Sequence, residues 1–419
     1  MKFITDFLST PAFIIGLVAL LGLLALRKSG SDIVKGTIKT ILGFLILQQG
    51  AGIIVNSLIP FSQLFENAFN LTGIIAEDNA IAAAVQTVLS KETSFILVLG
   101  FLINLLLARV TKMKYIFLTG HMMFSSAATY AIVLDLMGIN GWSAIAIGSV
   151  IQGLTSVIFP ALAQPFVRKV TGNDNVAFGF WGSSLIWMSG WLGGKFGNKA
   201  QSTEDLKISD KFDFLKEMSI LMSIVMILVV GITAIFADRE LLNQLSGGTS
   251  PILFVILTSA TFVVGILVLL QGVRMFLAEL IPAFKGISEK IVPGAIPALD
   301  VPIFYSFAPN ATTIGFIMAM IGGIVATFVS SLTTVIVLPS VIGLFFMGAA
   351  AGVFGNAMGG RRGAIIAGLV LGFVYQMMVA LAFPLVDLTQ YGIGGLWFSS
   401  PDVIFVILLM KLVALPFGK

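Results

Sequence analysis

The sequence predicts an all-α protein that crosses a membrane many times, and three observations support this fold class. The chain of 419 residues is 58% hydrophobic and 11% charged, with a mean hydropathy of +1.04, whereas soluble domains carry about 25% charged residues. Apolar runs as long as a transmembrane helix recur along the whole chain. Basic residues concentrate in alternate loops between these runs, as expected where charge sets orientation in a membrane.

Eleven membrane spans follow from the apolar runs. They are predicted at 10–26, 37–58, 92–108, 115–138, 141–167, 217–237, 251–272, 311–337, 340–358, 363–384 and 400–417. The stretch 176–193 is interrupted by Gly179, Gly182 and Gly190, so we interpret it as a re-entrant or broken segment. With the N-terminus outside, Lys and Arg then fall in cytoplasmic loops almost throughout, and the C-terminus is cytoplasmic.

Two stretches of the chain repeat a short pattern. ILQQGAGIIVNSLIPF begins at Ile46 and VLLQGVRMFLAELIPAF begins at Val268, with Gln-Gly and Leu-Ile-Pro at the same spacing and 222 positions apart. The copies lie five predicted spans apart, an odd number, so they face opposite ways, as in the inverted repeats of alternating-access transporters. We assign the halves approximately to 1–195 and 210–384 of a single transporter unit 1–419, with an extra helix at 400–417.

The stretch after each Leu-Ile-Pro is predicted to be neither a continuous helix nor a disordered loop. In the second copy this stretch contains Pro293, Pro297, Pro302 and Pro309, and proline removes amide donors and breaks helices. Irregular backbone at membrane depth is tolerated only where protein buries it or where it lines a polar cavity. Broken hairpins at matching positions therefore indicate the substrate site.

Few ionisable side chains fall inside the predicted spans. His121, the only histidine, lies in the fourth span with Ser125 on the same helix face; such groups are functional by default, although a packing histidine bonded to a carbonyl is the alternative. Asp300 precedes Tyr305 in the Pro-rich stretch, where its carboxylate could accept hydrogen bonds from ligand hydroxyls or cap a half-helix. Asp78 matches Asp300 at the 222-residue offset, but its polar neighbours favour a loop outside the membrane.

Four motifs resemble one protein family over nearly the whole chain. KGTIKTILGFLILQQGAGI, LTGHMMF, LLQGVRMFLAELIPAFKGISEKIVPGAIPALD and YSFAPNA resemble the ascorbate-specific permease subunit, enzyme IIC, of the bacterial phosphotransferase system. The resemblance implies eleven spans, an inverted repeat, and a homodimer in the cell membrane built from a substrate-carrying core and a V-shaped dimerisation domain. It also implies that the core moves rigidly and that a phosphorylated IIB subunit phosphorylates the ligand on the cytoplasmic side.

The resemblance also assigns ligand-contact positions. His121, Asp300 and Tyr305 match the family pattern, whereas Ser125 stands where the family typically has glutamine, and Phe180 and Trp181 stand where it has a His-Gln pair. Thr93 and Ser94, at the start of the third span, complete the predicted substrate-binding set. Because selectivity depends on such hydrogen-bonding groups, the departures predict a different ligand preference, toward a less polar or differently hydroxylated sugar-like molecule.

Composition narrows the chemistry further. The chain has no cysteine, so a cysteine-linked phosphoryl donor must be another polypeptide, and whether the chain itself counts as an enzyme stays open. The sequence gives no sign of a metal site, a cofactor or a nucleic-acid partner. Two alternatives remain at this point: an ion-coupled secondary transporter of the same fold acting through Asp300 or His121, and a membrane sensor or scaffold. Spacing and composition alone do not separate them.

Overall fold

A computed structural model describes residues 12–69 except 14–15, 17–18, 21–22 and 25, and then residues 73–85, 88–206, 214, 217–393 and 395–414. This part of the chain is mostly helical, and five of its helices are long and apolar enough to cross a membrane. The predicted first span, 10–26, and the second half of the predicted loop 195–216 lie largely outside the described residues. The chain is thus a polytopic membrane protein.

Helices and short strands alternate along the described residues. The helices are α1 (Gly30–Phe69), α2 (Asp78–Val85), α3 (Ser90–Val110), α4 (Gly120–Leu136), α5 (Gly141–Thr171), α6 (Ser183–Phe196), α7 (Met218–Phe236), α8 (Arg239–Ser246), α9 (Pro251–Ile291), α10 (Pro302–Tyr305), α11 (Pro309–Ser330), α12 (Val341–Ala382) and α13 (Pro401–Ala414). The strands are β1 (Gly73–Ala76), β2 (Tyr115–Phe117), β3 (Ala177–Phe178), β4 (Ile296–Leu299), β5 (Ile336–Leu338) and β6 (Leu396–Trp397).

The helices that contain the two Gln-Gly motifs are longer than predicted. The helix break comes later than expected, since α1 continues through Pro60 to Phe69 and α9 continues through Pro282 to Ile291. The expected irregular stretch then follows each helix, with β1 and α2 in the first copy and β4 and α10 in the second. Proline removes only one amide donor, and the pairing of α1 with α9 supports both helices. A Cβ at Gly50 of α1 would lie 2.4 Å from the backbone nitrogen of Leu269 in α9. The backbones of the two helices are therefore in close contact at this point.

Four predicted spans also differ in detail. The spans 115–138 and 311–337 each combine a helix with a three-residue strand, β2 and β5 respectively. The spans 340–358 and 363–384 form the single element α12, which is broken where Gly359 and Gly360 leave the helical conformation. Gly360 has φ 59°, a left-handed value that glycine adopts without steric cost, so the two predicted spans meet at a sharp turn.

The strands form two small parallel sheets in the described residues. Their orders are β5-β1-β6 and β2-β4-β3. In each sheet the central strand follows one of the long helices, α1 or α9, while both outer strands come from the other part of the chain. Ile74 pairs with Val337, and Tyr115 pairs with Ile296. The offset of 222 positions carries Ile74 onto Ile296 and Tyr115 onto Val337, so the two pairs match with their partners exchanged. The two parts of the chain are therefore interlocked at the centre of the molecule.

Buried polar side chains form hydrogen bonds with backbone groups of the outer strands β2 and β5. Asn104 of α3 donates to the Tyr115 carbonyl at 3.0 Å and accepts from the Phe117 amide at 3.0 Å. Thr327 of α11 donates to the Val337 carbonyl at 2.8 Å. Backbone groups at membrane depth must be paired inside the protein, so these side chains make irregular backbone possible near the centre.

The helices around the sheets pack through small residues. A Cβ at Gly352 of α12 would lie 2.0 Å from the Ala311 carbonyl oxygen of α11. Small residues let membrane helices approach this closely. The tight pairing of α11 with α12 holds the N-terminus of α12 beside β5, and this N-terminus borders the site described next.

Candidate substrate site

A small polar cavity lies where several helices begin. Its volume is about 40 Å³, and it is bordered by the first residues of α2, α4, α12 and α13 together with Phe180, Phe346 and Tyr375. Ile266 and Leu269 of α9 close it on one side. Helix N-termini carry unpaired amide donors and a partial positive charge, and transporters use such ends of discontinuous helices to hold substrates.

The strands place these helix starts together. β2 leads into α4, β5 leads into α12, and β6 leads into α13, so the pairing of the strands fixes where each helix begins. The first turn of α4 brings His121 and Met122 to the cavity, and the first turn of α12 brings Ile342 and Gly343. The site is therefore built on rigid elements and not on long loops.

His121 and Asp300 face each other at this cavity. His121 lines it and is 7% exposed, and its Nδ1 is 4.0 Å from Asp300 Oδ2, which is too long for a hydrogen bond. Nδ1 is buried with no hydrogen-bond partner in the described structure. Because buried polar atoms are nearly always paired, an unpaired imidazole nitrogen beside a carboxylate marks His121 as a candidate functional residue.

The two carboxylate oxygens of Asp300 have different surroundings, and the expectation that Asp300 caps a half-helix is wrong. Its Oδ1 accepts from the amide of the adjacent Val301 at 2.8 Å, immediately before α10, which has no side-chain cap. Its Oδ2 is the atom that faces His121. One oxygen therefore orders the turn, and the other remains directed at the site.

Two further predicted residues belong to this cluster. The Tyr305 hydroxyl donates to the Phe346 carbonyl at 3.0 Å, and Phe346 lines the cavity. Phe180 also lines it, with its ring centroid 6.5 Å from that of His121 and 6.1 Å from that of Phe346. His121, Asp300, Tyr305 and Phe180, which lie far apart in the sequence, are thus brought together.

The other predicted residues lie behind the cavity or away from it. Trp181 is fully buried, donates from Nε1 to the Met122 carbonyl at 2.7 Å and stacks on Phe117 at 4.3 Å between ring centroids. Ser125 donates to the same Met122 carbonyl at 3.1 Å. Both therefore support the first turn of α4 from behind.

Thr93 and Ser94 are buried in the first turn of α3 and do not border the cavity. The hydroxyl of Thr93 has no hydrogen-bond partner in the described structure. Their assignment to the substrate site, like that of Ser125 and Trp181, stays a prediction.

Asp78 is not in an exposed loop, so that interpretation is wrong. It is 4% exposed at the start of α2 and borders the cavity. Its carboxylate accepts from the Ser399 amide and hydroxyl, both at 2.8 Å, and from the Ser400 hydroxyl. Polar neighbours in sequence misled the interpretation because the partners lie 321 and 322 positions away. The 222-residue offset to Asp300 was the signal that could have found it.

A second buried carboxylate, Asp402, escaped sequence reasoning altogether. Asp402 of α13 is fully buried and accepts from the amides of Ser183 at 2.7 Å and Ser184 at 3.0 Å, and from the Ser184 hydroxyl. These are the first donors of α6. Asp402 therefore caps α6 from a distant part of the chain and fills the anion site at that N-terminus.

A larger cavity, of about 590 Å³, lies elsewhere between α13 and the pair α4 and α5. Thr155 is the only polar side chain among its twelve lining residues, and it contains none of the predicted site residues. A hydroxyl-rich ligand needs convergent polar groups. The small cavity beside His121 is therefore the candidate substrate site.

The chain has several helices that can span a membrane, and the N-termini of other helices border a polar cavity. These are features of a membrane permease. The chain belongs to the family of PTS system sugar-specific permease components, EIIC-GAT, which matches residues 6–402. It is similar to the ascorbate-specific PTS system EIIC component of Mycoplasma pneumoniae (strain ATCC 29342 / M129), with 29% identity over 438 aligned residues. That alignment covers 91% of this chain and 66% of the relative, so the chain spans about two thirds of the relative's length.

Family membership confirms the resemblance drawn from the four motifs. It supports the phosphotransferase permease over the ion-coupled transporter and the sensor or scaffold. The match over 6–402 also includes LTGHMMF and YSFAPNA, the two motifs that carry His121 and Tyr305.

Proposed function

We propose that this chain is a permease subunit of a phosphotransferase system. It binds a sugar-like substrate beside His121 and Asp300 and presents it on the cytoplasmic side to a phosphorylated IIB subunit. Ascorbate is the first candidate, because it is named for the relative. The observation that carries the proposal is the cavity where several helix starts meet His121, whose unpaired Nδ1 lies 4.0 Å from the Asp300 carboxylate. Phosphoryl transfer itself resides on the partner.

We further propose that residues 30–196 and 251–414 are inverted halves of the permease. The order α1-β1-α2-α3-β2-α4-α5-β3-α6 in the first range has its counterpart in α9-β4-α10-α11-β5-α12-β6-α13 in the second, where α12 stands for both α4 and α5. The matching registers of the two sheets support this assignment. Helix α13, set apart as an extra helix from the sequence, is then the counterpart of α6.

The membrane orientation of these two short helices follows from the proposed symmetry. Each has 14 residues and is about 21 Å long, shorter than the roughly 30 Å hydrocarbon core. α6 begins at the Asp402 contact and ends beside Gly359, near the basic pair Arg361 and Arg362. α13 begins at the small polar cavity beside His121. Its last residue, Ala414, lines the larger apolar cavity together with Met137, which lies at the end of the fourth span that is predicted to be outside. We therefore propose that α13 ends outside, in place of the cytoplasmic end expected from the sequence.

Substrate binding requires the cavity to open. A volume of about 40 Å³ holds only a few water molecules, whereas small-molecule sites occupy about 300–1,000 Å³. Ile266 and Leu269 of α9 form the closing side, and α9 packs extensively on α1 and also on α7. We propose that α1, α7 and α9 belong to the V-shaped domain that forms the homodimer in the lipid bilayer, and that the core moves against this domain during alternating access.

Uptake by reconstituted protein tests the function. Asp300→Asn keeps the shape of the side chain but removes its charge, so we expect substrate affinity to fall at least about tenfold, as for loss of a charged hydrogen-bond acceptor, while the protein still folds. Proteoliposomes containing the phosphorylated IIB partner should accumulate phosphorylated substrate, and omission of IIB should abolish it. Asp387→Asn, at an exposed loop, is the matched control. Uptake that persists without IIB and follows a proton gradient would contradict the proposal.

A further inference from the structure

The larger apolar cavity follows the second half of α13 and has the shape of a groove. It has a volume of about 590 Å³ and lies between α13 on one side and α4 and α5 on the other. Its lining extends from Val406 to Ala414 on α13 and from Ile147 to Thr155 on α5, which is about 12 Å along each helix. This space, called the α13 groove below, is therefore elongated in the direction of the helices.

Helix α6, the counterpart of α13 under the proposed symmetry, packs much more tightly on its neighbour. A Cβ at Gly197, where α6 ends, would lie 2.3 Å from the Cα of Gly359 in α12. Helix α13 contains no glycine, and Met137, which the 222-residue offset carries onto Gly359, lines the α13 groove. Because small residues let membrane helices approach closely, we conclude that larger side chains hold α13 away from α4 and α5.

The walls of the α13 groove are apolar and face the membrane. Ile147 of α5 and Leu409 of α13 line it and are exposed. Thr155, the one polar side chain in the lining, donates to the Ile151 carbonyl at 2.8 Å and to the Gln152 carbonyl at 3.0 Å. Its donor is thus used within α5, and the walls present hydrocarbon to a ligand.

These walls determine which molecule can fill the groove. Water needs polar partners to enter a buried space, and a hydroxyl-rich ligand needs convergent polar groups. A hydrocarbon chain instead gains dispersion contacts with apolar walls on both sides. The volume of about 590 Å³ falls within the range of about 300–1,000 Å³ that is typical of small-molecule sites. The acyl chain of a membrane lipid is the ligand that this chemistry fits.

Polar side chains mark one end of the groove. Met137 lines this end, where α4 gives way to α5, and Asn140 and Ser143 are exposed at the start of α5. Beside them Trp142 is 64% exposed, and the Lys91 Nζ lies 4.6 Å from its ring centroid. Exposed tryptophan marks the headgroup level of a membrane. The groove therefore combines an apolar body with a polar end at headgroup level, which matches the two parts of a phospholipid.

We propose that the α13 groove is a phospholipid site. One acyl chain lies between α13 and α5, and the headgroup lies at the level of Trp142 and Ser143. The lipid fills the space that close backbone contact excludes beside α6. It thereby supports α13, whose first residue, Pro401, borders the small polar cavity and whose Asp402 caps α6. The lipid is a structural ligand that is distinct from the substrate.

Lipid binding to the purified full-length protein tests the proposal. Leu409→Trp places a large side chain in the groove, whereas Leu412→Trp places the same side chain on the same helix at an exposed position outside the lining. Each protein is exchanged into lipid-free detergent and titrated with dioleoylphosphatidylglycerol, and bound lipid is counted by native mass spectrometry. We expect wild type and Leu412→Trp to bind the first lipid about tenfold or more tightly than Leu409→Trp, because the tryptophan displaces several buried methylene groups.

Thermal unfolding separates the acyl chain from the headgroup. Ligands that bind the native state raise its thermal stability, so oleoyl lysophosphatidylglycerol, which has one chain, should stabilise wild type and Leu412→Trp more than Leu409→Trp. Glycerophosphoglycerol, which has the headgroup and no chain, should stabilise none of them. Stabilisation of the wild type by the headgroup alone would overturn the proposal of an acyl-chain site.

Three other outcomes would also overturn it. The first is equal lipid affinity of wild type and Leu409→Trp, and the second is an equal loss of affinity in both tryptophan variants. The third is an altered oligomeric state of Leu409→Trp with unchanged lipid binding, which would assign the groove to a second copy of the chain. If Leu409→Trp does not fold, Ile147→Trp on the opposite wall takes its place in the same comparison.

Discussion

Removal of the Asp402 carboxylate should destabilise the fold at the junction of the two halves. In the wild type, this carboxylate accepts from two backbone amides and one hydroxyl at the start of α6. Asp402 and Ser183 are completely buried, and Ser184 is partly buried. Asp402→Ala leaves the two amides without an acceptor and leaves no route for bulk water to replace it.

The size of the effect follows from these bonds. A buried donor left unpaired costs about 1–3 kcal/mol, so two amides give about 2–6 kcal/mol. Asp402→Ala also removes the desolvation cost of a buried carboxylate, which limits the estimate to the lower part of this range, about 2–4 kcal/mol. Asp402→Asn retains one acceptor oxygen and should cost about 1–3 kcal/mol. Ser184→Ala removes only the hydroxyl bond and should cost about 1 kcal/mol.

Thermal unfolding followed by tryptophan fluorescence can rank these variants, since the chain contains five tryptophans. The scan rate must be held constant because unfolding of such proteins is often irreversible. We expect the order of stability wild type, Ser184→Ala, Asp402→Asn, Asp402→Ala. Asp387→Ala removes a carboxylate that accepts only exposed hydrogen bonds from Thr389, which water can replace, so it should cost no more than about 1 kcal/mol. An Asp402→Ala protein as stable as Asp387→Ala would show that the carboxylate does not hold α6.

Two further predictions concern packing and orientation. Gly352→Ala should lower thermal stability by an amount equivalent to more than about 2 kcal/mol, because the new Cβ would lie 2.0 Å from a backbone oxygen. The control Gly52→Ala, with open space around it in α1, should be neutral or stabilising. Equal unfolding temperatures of the two variants would contradict the proposed contact. Because the chain lacks cysteine, Lys411→Cys and Lys195→Cys can be labelled separately with an impermeant maleimide. We expect Lys411→Cys to react only from outside and Lys195→Cys only from the cytoplasmic side. Reaction of both from one side would refute the orientation of α13.

The sequence was a good guide to the membrane-embedded helical class and to the family. Long apolar runs and the four motifs carry this information locally, and local patterns survive folding. His121, Asp300, Tyr305 and Phe180 were placed in one site from motifs alone, and the structure brings them together.

The sequence was a poor guide wherever contacts between distant segments decide the outcome. Pro60 predicts a helix end, but packing of α1 against α9 keeps the helix continuous. Asp78 has polar sequence neighbours, yet Ser399 and Ser400 bury it. Asp402 belongs to an otherwise apolar stretch that carries no motif, and its partners Ser183 and Ser184 lie more than 200 positions away. Hydrophobic periodicity contains no information about such pairs.

The proposed symmetry explains why one half of the site is rigid. Asp78 and Asp300 occupy matching positions, 222 residues apart. Asp78 is fully engaged, because the turn after β6 supplies Ser399 and Ser400. The matching turn after β3 supplies Gly179 and Phe180, which have no hydroxyl groups. Asp300 therefore has no equivalent hydroxyl donors, and its Oδ2 faces His121.

The partner of His121 in the other half shows the same division of roles. The matching position is Gly343, where a Cβ would lie 1.9 Å from the Tyr375 hydroxyl. The tyrosine thus excludes any side chain, and hence any imidazole, from that half. Under the proposed symmetry, the same backbone arrangement occurs twice with different side chains. Asp78 is held by hydrogen bonds from serines, whereas His121 and Asp300 face each other without a hydrogen bond. An inverted repeat can share its fold between halves while placing the ligand-facing charge in only one of them, and the substrate then meets a site whose asymmetry comes from side chains and not from the backbone.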